Sequence, residues 1–250
     1  MLIDERYDKI LEILEKEQYV TAEQLSKRFF VSLPTIRRDL AVLQKKNMLI
    51  RSHGGAKKIQ PEHSVAPLDF RKAVHSSEKR ELCRKASDLV NDNDIIFIDS
   101  STTTLQMADF LEDKKDITVI TNGIPLASVL AQKGVKTYCT GGEIFSNSMA
   151  HFGSFAEEFI CRFNIDTFFF SCHGVNEKGM LTDPSLPETQ IRRVAINQSK
   201  KTVFLCDETK FSLSTPYNLV SIRTLDYIIT NTDRVYEFFE NKDCDNIIIV

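Results

Sequence analysis

The feature that most constrains this 250-residue chain is a repeated alternation over its C-terminal two thirds. Apolar runs read as strands at Asp94–Asp99, Ile117–Thr121, Val135–Thr140, Asp166–Cys172, Lys201–Cys206, Leu225–Thr230 and Asn246–Val250. Segments of helical character lie between them, at about residues 76–91, around Leu105–Leu111, and at about 125–133, 153–162, 186–199 and 233–241. Strands that are apolar along their length are buried on both faces, which a largely parallel sheet with flanking helices provides. The expected fold class is therefore α/β. Within it, Phe168-Phe169-Phe170 reads as core strand rather than as a stacking platform.

A sheet of this kind places ligands just beyond the carboxyl ends of its strands. Small and polar residues gather there: Asp99, Ser100, Ser101, Thr102, Thr103 and Thr104 after the first strand, and Asn122 after the second. Gly141 and Gly142 follow the third, His173 and Gly174 the fourth, Asp207 and Lys210 the fifth. Hydroxyls and N–H groups at a helix N-terminus suit a phosphate, although Ser and Thr also serve as plain caps. Lys210 could neutralise a phosphate and Asp207 accept from a sugar hydroxyl; the two could equally form a surface ion pair. Jointly these strand ends favour a small, polar, anionic ligand.

The N-terminal segment has another pattern. Ile10, Leu11, Ile13 and Leu14 form a helical stripe, and Thr21-Ala-Glu-Gln24 fits a capping box that starts a second helix ending near Arg28. Phe29, Phe30 and Val31 read as an apolar turn. Ser32 caps a third helix over about 33–46, with Pro34 in its first turn. Ile36, Leu40 and Leu43 face its core side, and Asn47 can end it. Thr35, Arg37 and Arg38 lie off the core stripe near the helix start. Two short strands follow around Gly54-Gly55. Helix, helix, turn, helix and hairpin make a winged helix-turn-helix, whose third helix enters the major groove by its N-terminal end. Arg37 and Arg38 suit a guanine edge and a phosphate. The hairpin would bring Arg51, His53, Lys57 and Lys58 to the duplex, with Gly54 and Gly55 at its turn. Asp39 is expected as a helix-surface carboxylate that orients a nearby Arg.

Charge supports this division. The formal net charge is -3, which on its face argues against nucleic acid. Residues 1–60, however, carry 12 Lys/Arg against 8 Asp/Glu, and residues 61–250 carry 20 against 27. A basic head therefore precedes an acidic body. The expected boundaries are a DNA-binding domain at 1–58, a linker at 59–75 holding Pro61 and Pro67, and a ligand-binding domain at 76–250. The six cysteines form no CxxC pair and read as reduced thiols in the core of a cytoplasmic protein. His63 and His75 have no spaced partner for a metal. The N-terminus is charged from residue 4, unlike a secretory signal, and no membrane span is expected.

Val31-Ser-Leu-Pro-Thr-Ile-Arg-Arg-Asp-Leu40, followed by Arg51-Ser-His-Gly-Gly-Ala56, resembles the signature of DeoR-type bacterial transcription regulators. The resemblance extends to Asp99–Thr104, Thr121-Asn122, Thr140-Gly-Gly142, His173-Gly174 with Gly179, and Asp207-Glu-Thr-Lys-Phe211. It implies a body akin to ribose-5-phosphate isomerases and coenzyme A transferases that binds a phosphorylated sugar or polyol as effector. It also adds Glu188, at a position that relatives often fill with Glu, as an effector-site candidate. The resulting expectation is a non-enzymatic homo-oligomer, dimer or tetramer, that represses operator DNA and is released by the effector, with no cofactor. An activator of the same architecture is one alternative. The other is a sugar-phosphate isomerase-like enzyme using Asp99, Asp207, Glu188 and Lys210 as acid–base groups.

Overall fold

The computed structural model describes residues 3–17, 19–45, 48–52, 54–57, 68–239 and 245–250, with backbone alone at 4, 45, 52, 69 and 70. The chain divides into two compact units, Met1–Ser76 and Ser77–Val250.

The first unit runs α1 (Ile3–Glu17), β1 (Tyr19–Thr21), α2 (Ala22–Phe29), α3 (Leu33–Lys45), β2 (Ile50–Ser52), β3 (Gly55–Lys57) and α4 (Leu68–Ala73). The capping box is present: the Thr21 hydroxyl accepts from the Gln24 amide at 3.1 Å, and the Gln24 side chain accepts from the Thr21 amide at 2.8 Å. Ile10, Leu11 and Leu14 of α1, Leu25 of α2, and Ile36, Leu40 and Leu43 of α3 close one apolar core. The three strands form a sheet in the order β1-β3-β2. The short strand β1 was not expected, because Tyr19-Val20-Thr21 lies beside no turn signal of the kind that Gly54-Gly55 gives the hairpin. Gly55 pairs with it so closely that a Cβ would lie 2.2 Å from the Val20 carbonyl oxygen, so this glycine serves packing within the sheet.

Three expectations change here. Asp39 is buried rather than on the surface, and its partner is Arg6 of α1, at 2.6 and 3.2 Å. That hydrogen-bonded carboxylate raises the Arg6 guanidinium above its ordinary value. The Phe29–Val31 turn is split: Phe29 and Val31 pack on the core, whereas Phe30 is 95% exposed in the left-handed region at φ 54°. The linker expected over 59–75 is helical at residues 68–73, and Val74 is buried in the first unit's core. Residues 59–67 and Asn47 lie outside the described residues.

The second unit runs α5 (Ser76–Ser87), β4 (Ile95–Ile98), β5 (Thr118–Thr121), α6 (Ile124–Gln132), β6 (Lys136–Cys139), β7 (Glu143–Phe145), β8 (Ala150–Phe152), α7 (Ser154–Ile160) and β9 (Ile165–Phe170). It continues through β10 (Gly174–Val175), β11 (Met180–Asp183), α8 (Leu186–Gln198), β12 (Ser199–Cys206), β13 (Tyr217–Ser221), β14 (Tyr227–Thr230) and β15 (Ile247–Ile249). Seven strands form one sheet in the order β15-β14-β12-β9-β4-β5-β6, every pair parallel. Side chains alternate between its faces. Phe97, Phe168, Phe170 and Phe204 pack with α7 and α8, while Ile96, Ile98, Phe169, Val203 and Leu205 pack with α5 and α6. Phe168 and Phe170 stack at 4.6 Å. The helices expected near Leu105 and over 233–241 are 3-10 helices, at Thr104–Asp109 and Asp233–Phe238. The β7–β8 hairpin and the antiparallel sheet β10-β11-β13 were not expected. Among the described cysteines, Cys83, Cys172 and Cys206 are core thiols, which burial pushes above the ordinary range, but Cys139 and Cys161 are exposed. Among the described residues no helix is long and apolar enough to cross a membrane.

Removing one partner of a buried ion pair strands the other charge, at a cost of about 3–5 kcal/mol. Asp39→Ala should lower stability in urea unfolding of the full chain by that amount, and the double variant Arg6→Met/Asp39→Leu by much less. Equal losses in the two would show that the pair does not hold α1 to α3.

Candidate functional site

On the first unit, α3 is held by its buried stripe and by Asp39, so its opposite side is turned outward. Pro34, Arg37 and Arg38 are exposed there. Ser32 caps the helix: its hydroxyl accepts from the Thr35 amide at 3.3 Å and lies 2.8 Å from the Thr35 hydroxyl. Neither Arg37 nor Arg38 makes an ion pair among the described residues, so both guanidiniums are available. The hairpin adds exposed Arg51, Gly54 and Lys57, with Gly54 turning it at φ 81°. Gly55 is buried under β1. His53 and Lys58 lie outside the described residues.

On the second unit the chain first builds outward from β4 to β5 and β6. It then returns to the other side of β4 with β9, β12, β14 and β15. The order reverses between β4 and β9, and a crevice opens at such a switch point. The loop after β4 follows this edge. Asp99 is buried with both oxygens engaged. Its Oδ1 accepts from the Ser101 amide at 3.1 Å and the Thr104 hydroxyl at 2.7 Å. Its Oδ2 accepts from Arg192 Nε at 3.0 Å and the Ser171 amide at 3.4 Å. Asp99 and Thr104 thus shape the loop from within. Ser100 and Ser101 reach the surface, with Thr102 and Thr103 largely buried behind them.

Arg192, on α8, and Asp183, at the end of β11, were not anticipated. The buried Arg192 guanidinium donates to Asp99, lies 2.8 Å from Asp183 Oδ2 and 3.5 Å from Glu188 Oε2. Burial pushes the Asp183 carboxyl up, with Arg192 pulling it down. Burial likewise opposes the charge on Arg192, but the three carboxylates win and raise it. The cluster unites residues 93 positions apart, and only the Glu188–Arg192 helix spacing hinted at it. Glu188, 15% exposed at its side chain, is the member nearest solvent.

Around this cluster the other candidates separate into groups. Asn122 is buried, with its Nδ2 donating to Ser100 Oγ at 3.3 Å and to the His151 carbonyl at 3.2 Å, while its Oδ1 has no hydrogen-bond partner among the described residues. The Ser171 hydroxyl is also buried without a partner among the described residues. Buried polar atoms are seldom left unpaired, so two of them on this edge mark places for a polar ligand or water. The His173 amide donates to Asp183. Gly174 is a packing residue, because a Cβ there would lie 2.5 Å from the Leu213 carbonyl oxygen. Asp207 caps the 3-10 helix Glu208–Lys210 by accepting from the Thr209 amide and hydroxyl. The expected Asp207–Lys210 ion pair is not among the salt bridges of the described residues. Lys210 is half-buried and makes no ion pair with a carboxylate among the described residues. Gly141 and Gly142 stand apart, lining a groove of about 720 Å³ between the end of β6 and α7, with none of the other candidates on its walls. Among the described residues no cluster of His, Cys, Asp and Glu could hold a metal ion.

Fold and sites together define a two-part protein, a winged helix-turn-helix followed by a parallel α/β unit with a polar switch-point crevice. Residues 6–62 match the DeoR-like helix-turn-helix domain and residues 74–232 the DeoR C terminal sensor domain. The chain belongs to the DeoR family. It is 31% identical over 229 residues to the glycerol-3-phosphate regulon repressor of Escherichia coli strain K12, covering 91% of this chain and 90% of that one. It is 32% identical over 232 residues to the HTH-type transcriptional repressor GlcR of Bacillus subtilis strain 168, covering 92% and 89%. Among solved structures, a D-ribose-5-phosphate isomerase in complex with phospho-erythronic acid aligns over 54% of each chain with a TM-score of 0.42 and 12% identity.

Burial raises the Asp183 carboxyl and Arg192 pulls it down, so without Arg192 its folded-state affinity for a proton would rise further above the unfolded value of about 3.9. A group raised in this way favours the fold below its unfolded pKa and loses that contribution as pH rises. Arg192→Ala should therefore destabilise the second unit most at neutral pH and less toward pH ~4. Urea unfolding of variant and parent at both pH values checks this; a deficit independent of pH would contradict it.

Proposed function

We propose that this chain is a transcription repressor that holds operator DNA by its first unit and lets go when its second unit binds a phosphorylated sugar or polyol. The observation that carries the reading is the pair of exposed arginines, without an ion pair among the described residues, on a helix clamped from behind. Arg37 and Arg38 sit at the N-terminal end of α3, and the neighbouring Asp39 anchors that helix to Arg6. A guanidinium presented on a rigid helix can bond both acceptors of guanine in the major groove, while its neighbour holds phosphate. The hairpin cations would add backbone contacts. The named repressors among the relatives support the same direction of control over the alternative of an activator.

For the effector, the crevice offers two kinds of partner. The cluster of Asp99, Asp183 and Glu188 outnumbers Arg192 in charge, so it repels phosphate and suits hydroxyl donors. Lys210 and the Ser100–Thr103 loop are where a phosphate would be tolerated. Such a ligand weakens DNA binding only if it prefers one conformation of the protein over another. The enzyme alternative fares poorly on the same geometry. Asp99 has both oxygens committed to internal donors, and Asp207 is engaged as a cap, so neither is poised to move protons. On this reading the protein works in the cytoplasm, as a homo-oligomer on a symmetric operator.

Arg37→Ala and Arg38→Ala should each weaken binding to a duplex selected by the parent from a random pool, by about 1–3 kcal/mol for a base contact. A phosphate contact should instead flatten the salt dependence by about one ion. Parent-like affinity and salt slope in both variants, measured by fluorescence anisotropy, would remove α3 from the groove. A thermal-shift screen of phosphorylated sugars and polyols should find one that raises the melting temperature of the parent. Lys210→Ala should need about tenfold or more of that compound for the same shift, while binding the selected duplex as the parent does. An unchanged dose dependence would take Lys210 out of the site, and turnover of any of these compounds would favour the enzyme.

A further inference from the structure

The large sheet ends at β6, whose outer edge has no partner strand among the described residues. Open edges recruit other chains unless something covers them. The surface beside this edge is apolar where water would favour polar groups. Phe155 is 77% exposed, Ile144 56% and Tyr138 40%. Tyr138 is also held in place, with its ring 5.5 Å from Phe163 and 6.5 Å from Phe159. Next to them opens the groove between β8 and α7, walled by Phe152, Phe155 and Phe159 and bordered by Glu143, Glu158 and Arg162.

The charges indicate what covers it. Lys136, Arg162, Glu143 and Glu158 make no ion pair among the described residues, although all are exposed. Aromatic residues at the centre and polar groups at the rim are the anatomy of a protein interface. A rim with both signs unpaired is complementary to itself when turned about a two-fold axis, as an isologous contact requires. Nucleic acid is a poor occupant, because two carboxylates face one guanidinium in the groove.

We propose that the face built from β6, the β7–β8 hairpin and α7 is where a second copy of this chain docks. Phe155 of each copy enters the groove of the other, and Arg162 meets the partner's Glu143. The face is tied to the switch-point edge by Asn122 and by Gly123, which bridges Ala150 of β8. Asn122 bonds Ser100 on one side, while on the other its Nδ2 donates to the His151 carbonyl and its own carbonyl accepts from the His151 amide at 2.8 Å. His151 precedes Phe152 in β8, so a shift of the Ser100 loop reaches the groove wall directly. This coupling rests on the effector reading above; the docking face does not.

Sedimentation velocity of the full chain over micromolar concentrations tests the proposal. The parent should associate as a dimer or a multiple of one. Phe155→Glu and Arg162→Glu should each raise the dimer dissociation constant about tenfold or more. Adding Glu143→Arg to Arg162→Glu should recover most of the loss. Phe155 is exposed in the isolated chain, so its replacement should leave the melting temperature of the monomer unchanged. If Phe155→Glu does not fold, Phe155→Ser takes its place. A monomeric parent, or single variants that associate as the parent does, would overturn the docking face. Failure of the double variant to recover would overturn the Arg162–Glu143 contact. Both single variants can still be titrated with the selected duplex, so loss of this face and loss of DNA recognition register separately.

Discussion

The second unit depends on one buried guanidinium. Arg192 reaches from α8 to the loop after β4 and to the end of β11, and it is the positive charge that permits Asp99 and Asp183 to be buried together. Burying two carboxylates without a hydrogen-bonded counter-charge is costly. With Arg192 in place, Asp99 keeps one oxygen for Ser101 and Thr104, and the loop Ser100–Thr103 follows. The shape of the switch-point crevice is thus a consequence of an electrostatic constraint set by a residue of α8. The parallel order of the strands opens the crevice, and Arg192 decides which groups it presents.

The first unit solves a similar problem with different parts. Arg6 and Asp39 join α1 to α3 across 33 positions, behind the helix that carries Arg37 and Arg38. A recognition helix needs its outward side chains free and its axis fixed. The apolar stripe of Ile36, Leu40 and Leu43 fixes its rotation, and the buried ion pair adds a directional tie that apolar contacts lack. In both units a buried Arg–Asp contact orders exposed polar groups. Arg6 and Arg192 are spent on structure, whereas Arg37, Arg38 and Lys210 form no ion pair among the described residues.

Much of this was legible from residue patterns. The capping box at Thr21, the stripe on α3, the turn at Gly54 and the parallel strands rest on local rules, and each appears within a few residues of where those rules put it. The site was legible only in outline. Ser100, Ser101, Asn122, Glu188 and Lys210 do lie at or near the carboxyl edge. Asp99 and Thr104 lie there too, but as internal braces. Gly55 and Gly174 looked like turn or ligand glycines and are close backbone contacts instead. The short strands β1, β7, β8, β10, β11 and β13 lack the continuous apolar run that marks the buried parallel strands of the same length.

The sequence by itself determined the family, the division into a basic head and an acidic body, and the elements that bury a continuous apolar stripe or run. These follow from composition, period and local capping, which need no distant partner. Tertiary structure alone decided which charged residues are spent on structure and which stay available. Arg192 with Asp99, Arg6 with Asp39, and Asn122 with His151 are each made by residues far apart in the chain. No local rule distinguishes a carboxylate that will find a buried guanidinium from one that will face water, since the difference lies in the fold that brings the two together.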